Sequence, residues 1–193
     1  MNRMILKILS ILFICMTVFG VSRVSAQEFS ADMESRMGKK VMSSKVYVAD
    51  GKIRMDMPQG AMIIRNDEKK SFMIMDSQKM YMEQPIDLSQ APKVQKYFEG
   101  ELERTSMGKE TVNGHEAEKF KVTYKEKNKD ILVYQWLVDG KIPAKIEAVD
   151  GKWSVDYKNL QIGAQAADLF EPPAGYSKME MPNLKGLMGA FGK

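Results

Sequence analysis

Apolar and polar positions alternate through most of the sequence, and this pattern predicts a protein built mainly of β-strands. The first alternating run contains Phe29, Ala31 and Met33, which would give one strand an apolar face. Asp50-Gly51 stands between two such runs and indicates an antiparallel hairpin, and Asn113-Gly114 indicates another tight turn. Further strands are expected at about 46–48, 53–57, 61–66, 71–76, 79–83, 120–124, 131–138, 142–149 and 153–157.

Helical spacing replaces the alternation in two places. Between Pro85 and Glu103, one face of a predicted helix carries the apolar residues Val94, Tyr97, Phe98 and Leu102. A shorter stripe of the same spacing occupies a tail over residues 182–193 and consists of Leu184, Leu187, Met188 and Phe191. We expect these residues to form a lid or a docking helix.

Together the two patterns predict a mainly β fold of the α+β class. The expected architecture is a single curved antiparallel sheet or half-open β-barrel, with helices lidding a hydrophobic cavity. A sandwich of two sheets is the competing arrangement. Residues 27–181 would form this one domain, and residues 182–193 would follow it as an amphipathic tail.

The N-terminal segment predicts export. Arg3 and Lys7 precede an apolar run of about 14 residues, which is shorter than the roughly 20 residues that a spanning helix needs. Small residues up to Ala26 then indicate signal-peptide cleavage before Gln27. We therefore expect residues 1–26 to be a cleaved signal peptide and the mature protein to be periplasmic.

Removing that segment changes the charge and the cysteine content. It carries three basic residues and no acidic one, so the formal charge falls from +4 to +1. A neutral chain lacks the clustered basic field that nucleic acid requires, so no nucleic-acid partner is expected. The only cysteine, Cys15, leaves with the segment, so the mature chain has no disulfide, and we expect a monomer.

Seven methionines lie between residues 53 and 82, and six of them form Met-x-Met pairs. Residues i and i+2 of a strand point to the same face, so each pair projects two thioethers together. Long, unbranched methionine side chains suit a surface that accepts variable apolar guests. The pairs are Met55 and Met57, Met73 and Met75, and Met80 and Met82.

Two other interpretations of the methionines stay open. They could fill an ordinary core, or their thioethers could bind Cu(I), for which sulfur is the preferred ligand. High-affinity copper sites usually add Cys or His, and the only histidine, His115, lies far along the sequence. We find no zinc-ligand spacing, phosphate loop or nucleophile elbow. A non-enzyme without metal or other cofactor is therefore predicted.

Two short motifs carry a resemblance to a known family. The segment from Trp136 to Glu147 and the ending Phe170-Glu171-Pro172-Pro173-Ala174-Gly175-Tyr176 resemble those of periplasmic lipoprotein-carrier (LolA/LolB-like) domains. The resemblance covers most of the mature chain and points to a branch of small exported proteins within that superfamily. The resemblance implies a half-barrel whose cavity holds acyl chains. It also implies an early-strand arginine that holds a lid, for which Arg54 and Arg65 are both candidates.

The prediction is thus a periplasmic carrier that holds an acyl chain, lipid or acylated protein in a hydrophobic cavity. An envelope scaffold with a filled core, which binds a protein partner or a membrane surface through its tail, is the alternative. The predicted cavity lining combines the six paired methionines with aromatic and aliphatic residues of the second half, namely Phe120, Val122, Tyr124, Trp136 and Trp153.

Overall fold

The computed structural model describes residues 28–87 and 96–180, and twelve strands in these ranges form one sheet. The strands are β1 (Phe29–Met37), β2 (Lys40–Ala49), β3 (Lys52–Met57), β4 (Gly60–Arg65), β5 (Lys70–Met75), β6 (Met80–Pro85), β7 (Glu101–Val112), β8 (His115–Glu126), β9 (Lys129–Val138), β10 (Ile142–Ala148), β11 (Trp153–Ile162) and β12 (Ser177–Lys178).

Two meanders build this sheet. Strands β1 to β6 pair consecutively, strands β7 to β11 do the same, and β1 joins the two sets by pairing with β11. Every pairing is antiparallel except that of β12, which lies parallel to β6 at one edge. The predicted single antiparallel sheet is therefore confirmed in place of a two-sheet sandwich, and the sheet does not close into a barrel.

The helices expected to lid a cavity are not found in the described residues, which hold only two short 3-10 turns. Tyr97 and Phe98 lie in an irregular segment before β7, and Phe98 stacks on Tyr124 with ring centroids 4.7 Å apart. Gly100 ends this segment with a φ of +72°, a conformation that a helix does not accommodate. Val94 and the tail residues 182–193 lie outside the described residues.

Hairpin turns occur where the sequence predicts them. Asp50-Gly51 connects β2 to β3, and Asn113-Gly114 connects β7 to β8. The Asn113 amide also donates hydrogen bonds to the carbonyls of Ala144 (3.2 Å) and Tyr157 (3.1 Å). This contact fixes the tip of the β7–β8 hairpin against β10 and β11.

Two apolar clusters form the core. The larger contains Phe29, Val46, Ile53 and Tyr157 together with residues of β8 to β10. The smaller contains Ile63 and other residues of β4 and β5 and is completed by Phe170 from the chain after β11; its buried members are Ala61, Ile63, Phe72, Ile74 and Phe170. Ile63 and Ile64 are neighbours in β4 and belong to different clusters, so both faces of this strand are buried.

Candidate functional site

Strand pairing brings the methionines of β3 to β6 together on one face of the sheet. Met55 pairs with Met62, Met62 pairs with Met73, and Met73 pairs with Met82. Directly paired residues have Cβ atoms about 5 Å apart, so four thioether side chains form a continuous row across four strands. We call the surface formed by Met55, Met57, Met62, Met73, Met75, Met80 and Met82 the methionine face.

A second row beside it is interrupted by a glycine. Met57 pairs with Gly60, Gly60 with Met75, and Met75 with Met80. Gly60 has a φ of +147°, and a Cβ atom there would lie 2.0 Å from the carbonyl oxygen of Ile74. Because no side chain fits at this position, the row has a gap between Met57 and Met75.

A partly open pocket of about 710 Å³ lies at this gap and extends toward β1 and β2. This volume falls within the roughly 300–1,000 Å³ of small-molecule sites. None of its fifteen lining residues carries an ionisable side chain. We call it the methionine pocket, and it is lined by Met33, Ser35, Val41, Met42, Ser43, Ser44, Met55, Met57, Pro58, Gln59, Gly60, Ala61, Met73, Ile74 and Met75.

Several lining side chains are unusually exposed for apolar residues. The exposed fraction is 43% for both Met57 and Met73 and 50% for Met42. Exposed apolar side chains concentrated along one pocket are a mark of ligand or partner sites. Methionine adds the ability to change rotamer as different guests enter.

The opposite face of the same strands is charged at its edges and covered at its centre. All six charged residues of β3 to β6 alternate onto that face and away from the methionine face; they are Lys52, Arg54, Asp56, Arg65, Lys70 and Glu83. The chain after β11 crosses there and buries Phe170, which is 1% exposed. The strand alternation thus separates an uncharged surface from a charged one.

Two arginines attach this covering segment to the sheet. Arg54 donates to the carbonyl of Leu169 at 3.0 Å, and Arg65 donates to the carbonyl of Phe170 at 3.5 Å. Arg65 is buried and also pairs with Asp67 (2.9 Å), Glu68 and Glu171. Hydrogen bonds from Arg65 hold the pKa of the Asp67 carboxyl below its ordinary value. Both arginines that the resemblance offers therefore contact the C-terminal segment.

The predicted lining residues divide between two regions. Met55, Met57, Met73 and Met75 line the methionine pocket. Met80 and Met82 continue the two rows onto β6 without lining the pocket itself.

The predicted residues of β8 lie elsewhere. Phe120 pairs with Gln135 and Val122 with Val133, which places them on the face of β9 opposite to Trp136. The guanidinium of Arg104 lies 4.9 Å from the Phe120 ring centroid. Phe120 and Val122 thus contact Arg104 or pair with it on β7, Tyr124 contacts Phe98 before β7, and none of the three lines the methionine pocket.

The two tryptophans are not among the lining residues of the pocket either. Trp136 is 5% exposed, donates from Nε1 to Glu110 and has the ammonium of Lys119 4.7 Å from its ring centroid. Trp153 pairs with Met37 near one end of β1. Their predicted contact with a ligand stays a prediction.

Several residues of the pocket, and Met62 of the methionine face beside it, were not predicted as site residues from the sequence, although for two of them the signal was present. Met33 belongs to the first alternating run, and Met62 lies between two Met-x-Met pairs. The turn Pro58-Gln59 makes β3 and β4 a tight hairpin, and this register alone places Met62 opposite Met55. Ser35, Ser44 and Gly60 carry no comparable sequence signal.

Metal and membrane features are limited in the part of the chain that the structure describes. No group of three or more His, Cys, Asp or Glu residues within 28–87 and 96–180 is arranged to hold a metal ion. His115 begins β8 and lies on the half of the sheet that does not carry the methionine face. No helix in those ranges has the length and apolarity needed to cross a bilayer.

The fold has counterparts among solved structures. An uncharacterized conserved protein from Thermus thermophilus matches with a TM-score of 0.52 and 12% identity, over 80% of this chain and 90% of that one. MucB matches with a TM-score of 0.50 and 15% identity, over 78% of this chain and 58% of MucB. A LolA-superfamily protein from Nitrosomonas europaea matches at a TM-score of only 0.32 and 9% identity, over 76% and 90% of the two chains.

The two matches with TM-scores of 0.52 and 0.50 define the class of fold. MucB has a LolA-like fold, so the expected kind of fold is confirmed, whereas the particular branch stays a prediction. The chain belongs to the family described as domain of unknown function DUF4412, whose profile matches residues 21–154. No curated protein matches the sequence.

Proposed function

We propose that this protein is an exported, periplasmic binding protein that holds an acyl chain or a similar amphiphile in the methionine pocket. The observation that carries this proposal is the uncharged, methionine-lined cavity of about 710 Å³. No catalytic step and no cofactor are part of the proposal. The signal peptide, with cleavage between Ala26 and Gln27, belongs to the same proposal.

The energetics favour a long apolar guest. Each methylene moved from water into an apolar site contributes about 0.8 kcal/mol, so an acyl chain gains affinity without any strong polar contact. The half-exposed methionines Met42, Met57 and Met73 would lose water contact as the guest enters. Because thioether side chains change rotamer at low cost, chains of different length would be accepted.

A matched pair of variants tests the proposal. Met73→Gln keeps the side-chain length and places a polar amide in the methionine pocket. Met107→Gln makes the same change on β7, at the opposite edge of the sheet, where Met107 is 52% exposed. With a neutral, environment-sensitive dye as the probe, we expect Met73→Gln to weaken binding about tenfold and Met107→Gln to leave it unchanged. Equal effects would contradict the proposed site.

Protein binding is the second candidate function, and one observation favours it. Strand β7 spans Glu101–Val112 at the sheet edge, and in the described residues no strand pairs with its outer side. Such an edge is able to accept a strand from another chain. MucB, whose fold is similar, is known in a complex with MucA. Two results together would favour this function: the chain binds no dye, and deletion of residues 182–193 abolishes partner pull-down.

Cu(I) binding is the less favoured alternative and has a direct test. The rows bring thioethers together, which soft-metal binding also requires, but no Cys or His accompanies them on the methionine face. Competition against a Cu(I) chelator is the measurement. Affinity no better than millimolar would eliminate copper.

A further inference from the structure

We infer that the ligand of the methionine pocket is a neutral amphiphile, in which the group next to the acyl chain is an ester, an alcohol or another uncharged polar group. Ionised fatty acids would be poor ligands. This inference rests on the proposed function because it specifies the chemical class that the same pocket accepts.

The first support is the polar chemistry of the pocket itself. On the face that carries Met33 and Met42, its polar side chains are the hydroxyls of Ser35 and Ser44, and the turn after β3 adds the amide of Gln59. A hydroxyl both donates and accepts hydrogen bonds, and an amide offers one group of each kind. This set matches an alcohol or an ester, which also present neutral donors or acceptors.

The second support is the absence of charge along the row of paired residues that lies next to the two methionine rows. The strand register extends the methionine rows by a third row that is uncharged throughout; it consists of Phe29, Val48, Ile53, Ile64, Ser71 and Gln84. The arginines nearest in sequence, Arg54 and Arg65, point to the other face and are paired there. They are therefore not available to a carboxylate in the methionine pocket.

The physical consequence is discrimination between head groups. An ionised carboxylate that approaches an apolar wall loses its hydration. The free-energy cost of this loss is offset only if a charged or strongly donating partner replaces the water. The methionine pocket offers serine hydroxyls and one amide, so the anion must remain in solvent and withdraw part of its chain. An ester or alcohol loses much less hydration and keeps the full chain in contact with Met55 and Met73.

Displacement of the neutral dye from the full chain provides the test. The competitors share one sixteen-carbon chain and differ in the head group: a monoacylglycerol, the long-chain alcohol, and the ionised fatty acid at pH 8. We expect the two neutral compounds to displace the dye at concentrations about tenfold lower than the fatty acid. Equal or stronger displacement by the fatty acid would overturn the inference and leave the proposed function intact.

A charge graft makes the test independent of solubility differences among lipids. Ser44→Lys places an ammonium in the methionine pocket, and Thr105→Lys adds the same charge on β7 as the control. We expect Ser44→Lys to improve fatty-acid displacement several-fold without improving that of the monoacylglycerol, and Thr105→Lys to change neither. If the dye binds and Ser44→Lys gives no improvement, the inference is wrong. If neither dye nor any competitor binds the natural chain, the proposed function itself fails.

Discussion

Met62 and Met73 are direct partners across the pairing of β4 and β5. Their side chains therefore lie beside each other at the centre of the row that continues to Met55 on one side and Met82 on the other. Regularly spaced methionines in the sequence thus become one continuous thioether surface. The interaction between the members of this row is measurable.

A double-mutant cycle on Met62 and Met73 should show coupling. Directly opposed side chains of one sheet face contribute roughly 0.2–1 kcal/mol as a pair, so the double alanine variant should depart from additivity by about that amount. Denaturant unfolding of the four chains gives the value. The pair Met73 and Met107, at distant strands, is the control and should be additive.

Gly60→Ala should destabilise the protein and disturb the pocket. A Cβ atom at this position would lie 2.0 Å from the Ile74 carbonyl oxygen, so β4 and β5 must separate locally. We expect the free energy of unfolding to fall by about 2 kcal/mol or more and dye binding to weaken. Gly114→Ala is the matched control, since its φ is also positive but no atom lies within 4 Å of the added Cβ. A loss for Gly114→Ala as large as that for Gly60→Ala would refute this account of Gly60.

Arg65→Met should release the segment that covers the second apolar cluster. Arg65 is 8% exposed and holds three carboxylates and the Phe170 carbonyl, so its loss should lower the free energy of unfolding by about 2–3 kcal/mol. Arg36→Met is the control, because Arg36 is 58% exposed and its pair with Glu34 is 3.5 Å long. An exposed pair of this kind contributes little to stability, so Arg36→Met should leave the free energy of unfolding nearly unchanged. Hydrogen exchange of residues 167–171 would show whether the segment opens, and unchanged protection would argue against the role given to Arg65.

Tyr157→Phe should reduce the loss of stability at high pH. Burial raises the pKa of the Tyr157 phenol from 10.0 to about 12, so the unfolded chain ionises first. The folded state therefore keeps its full stability below pH 10 and loses it as the pH rises from about 10 to 12, by up to about 3 kcal/mol. The difference between the natural chain and Tyr157→Phe across this range isolates the effect of Tyr157. Parallel pH profiles for the two chains would contradict it.

The sequence predicts most of the sheet because alternation and turn chemistry are local signals. Asp50-Gly51 lies between two alternating runs and Asn113-Gly114 is a second tight turn, and each connects the two strands of a hairpin in the structure, although strand β7 before Asn113 was not predicted. The sharing of one face by Met55 and Met57 also follows from the period of a strand alone. The alignment of Met62 with Met73 requires the register as well, which the short turns determine.

The predicted lid helix is not found over the described residues 96–103, because helical spacing also arises by chance in irregular chain. Tyr97, Phe98 and Leu102 match a helix in spacing, yet Gly100 interrupts the segment and Leu102 lies in β7. Arg104 pairs with Glu101 at 2.8 Å across three residues, a separation also typical of helices. Phe120 of β8 and Trp136 of β9 lie on opposite faces of the sheet. This placement depends on the register between the two strands, which the apolar run 131–138 does not reveal.

Native mass spectrometry of the protein purified from its own cell envelope tests the central claim most directly. We predict a population carrying one additional mass that corresponds to a neutral, acyl-chain-bearing molecule, retained by Met107→Gln and depleted in Met73→Gln. Lipid extraction of the same sample identifies the compound. Empty protein in every preparation, together with no uptake of neutral amphiphiles added in excess, would contradict the claim that the methionine face is a binding surface.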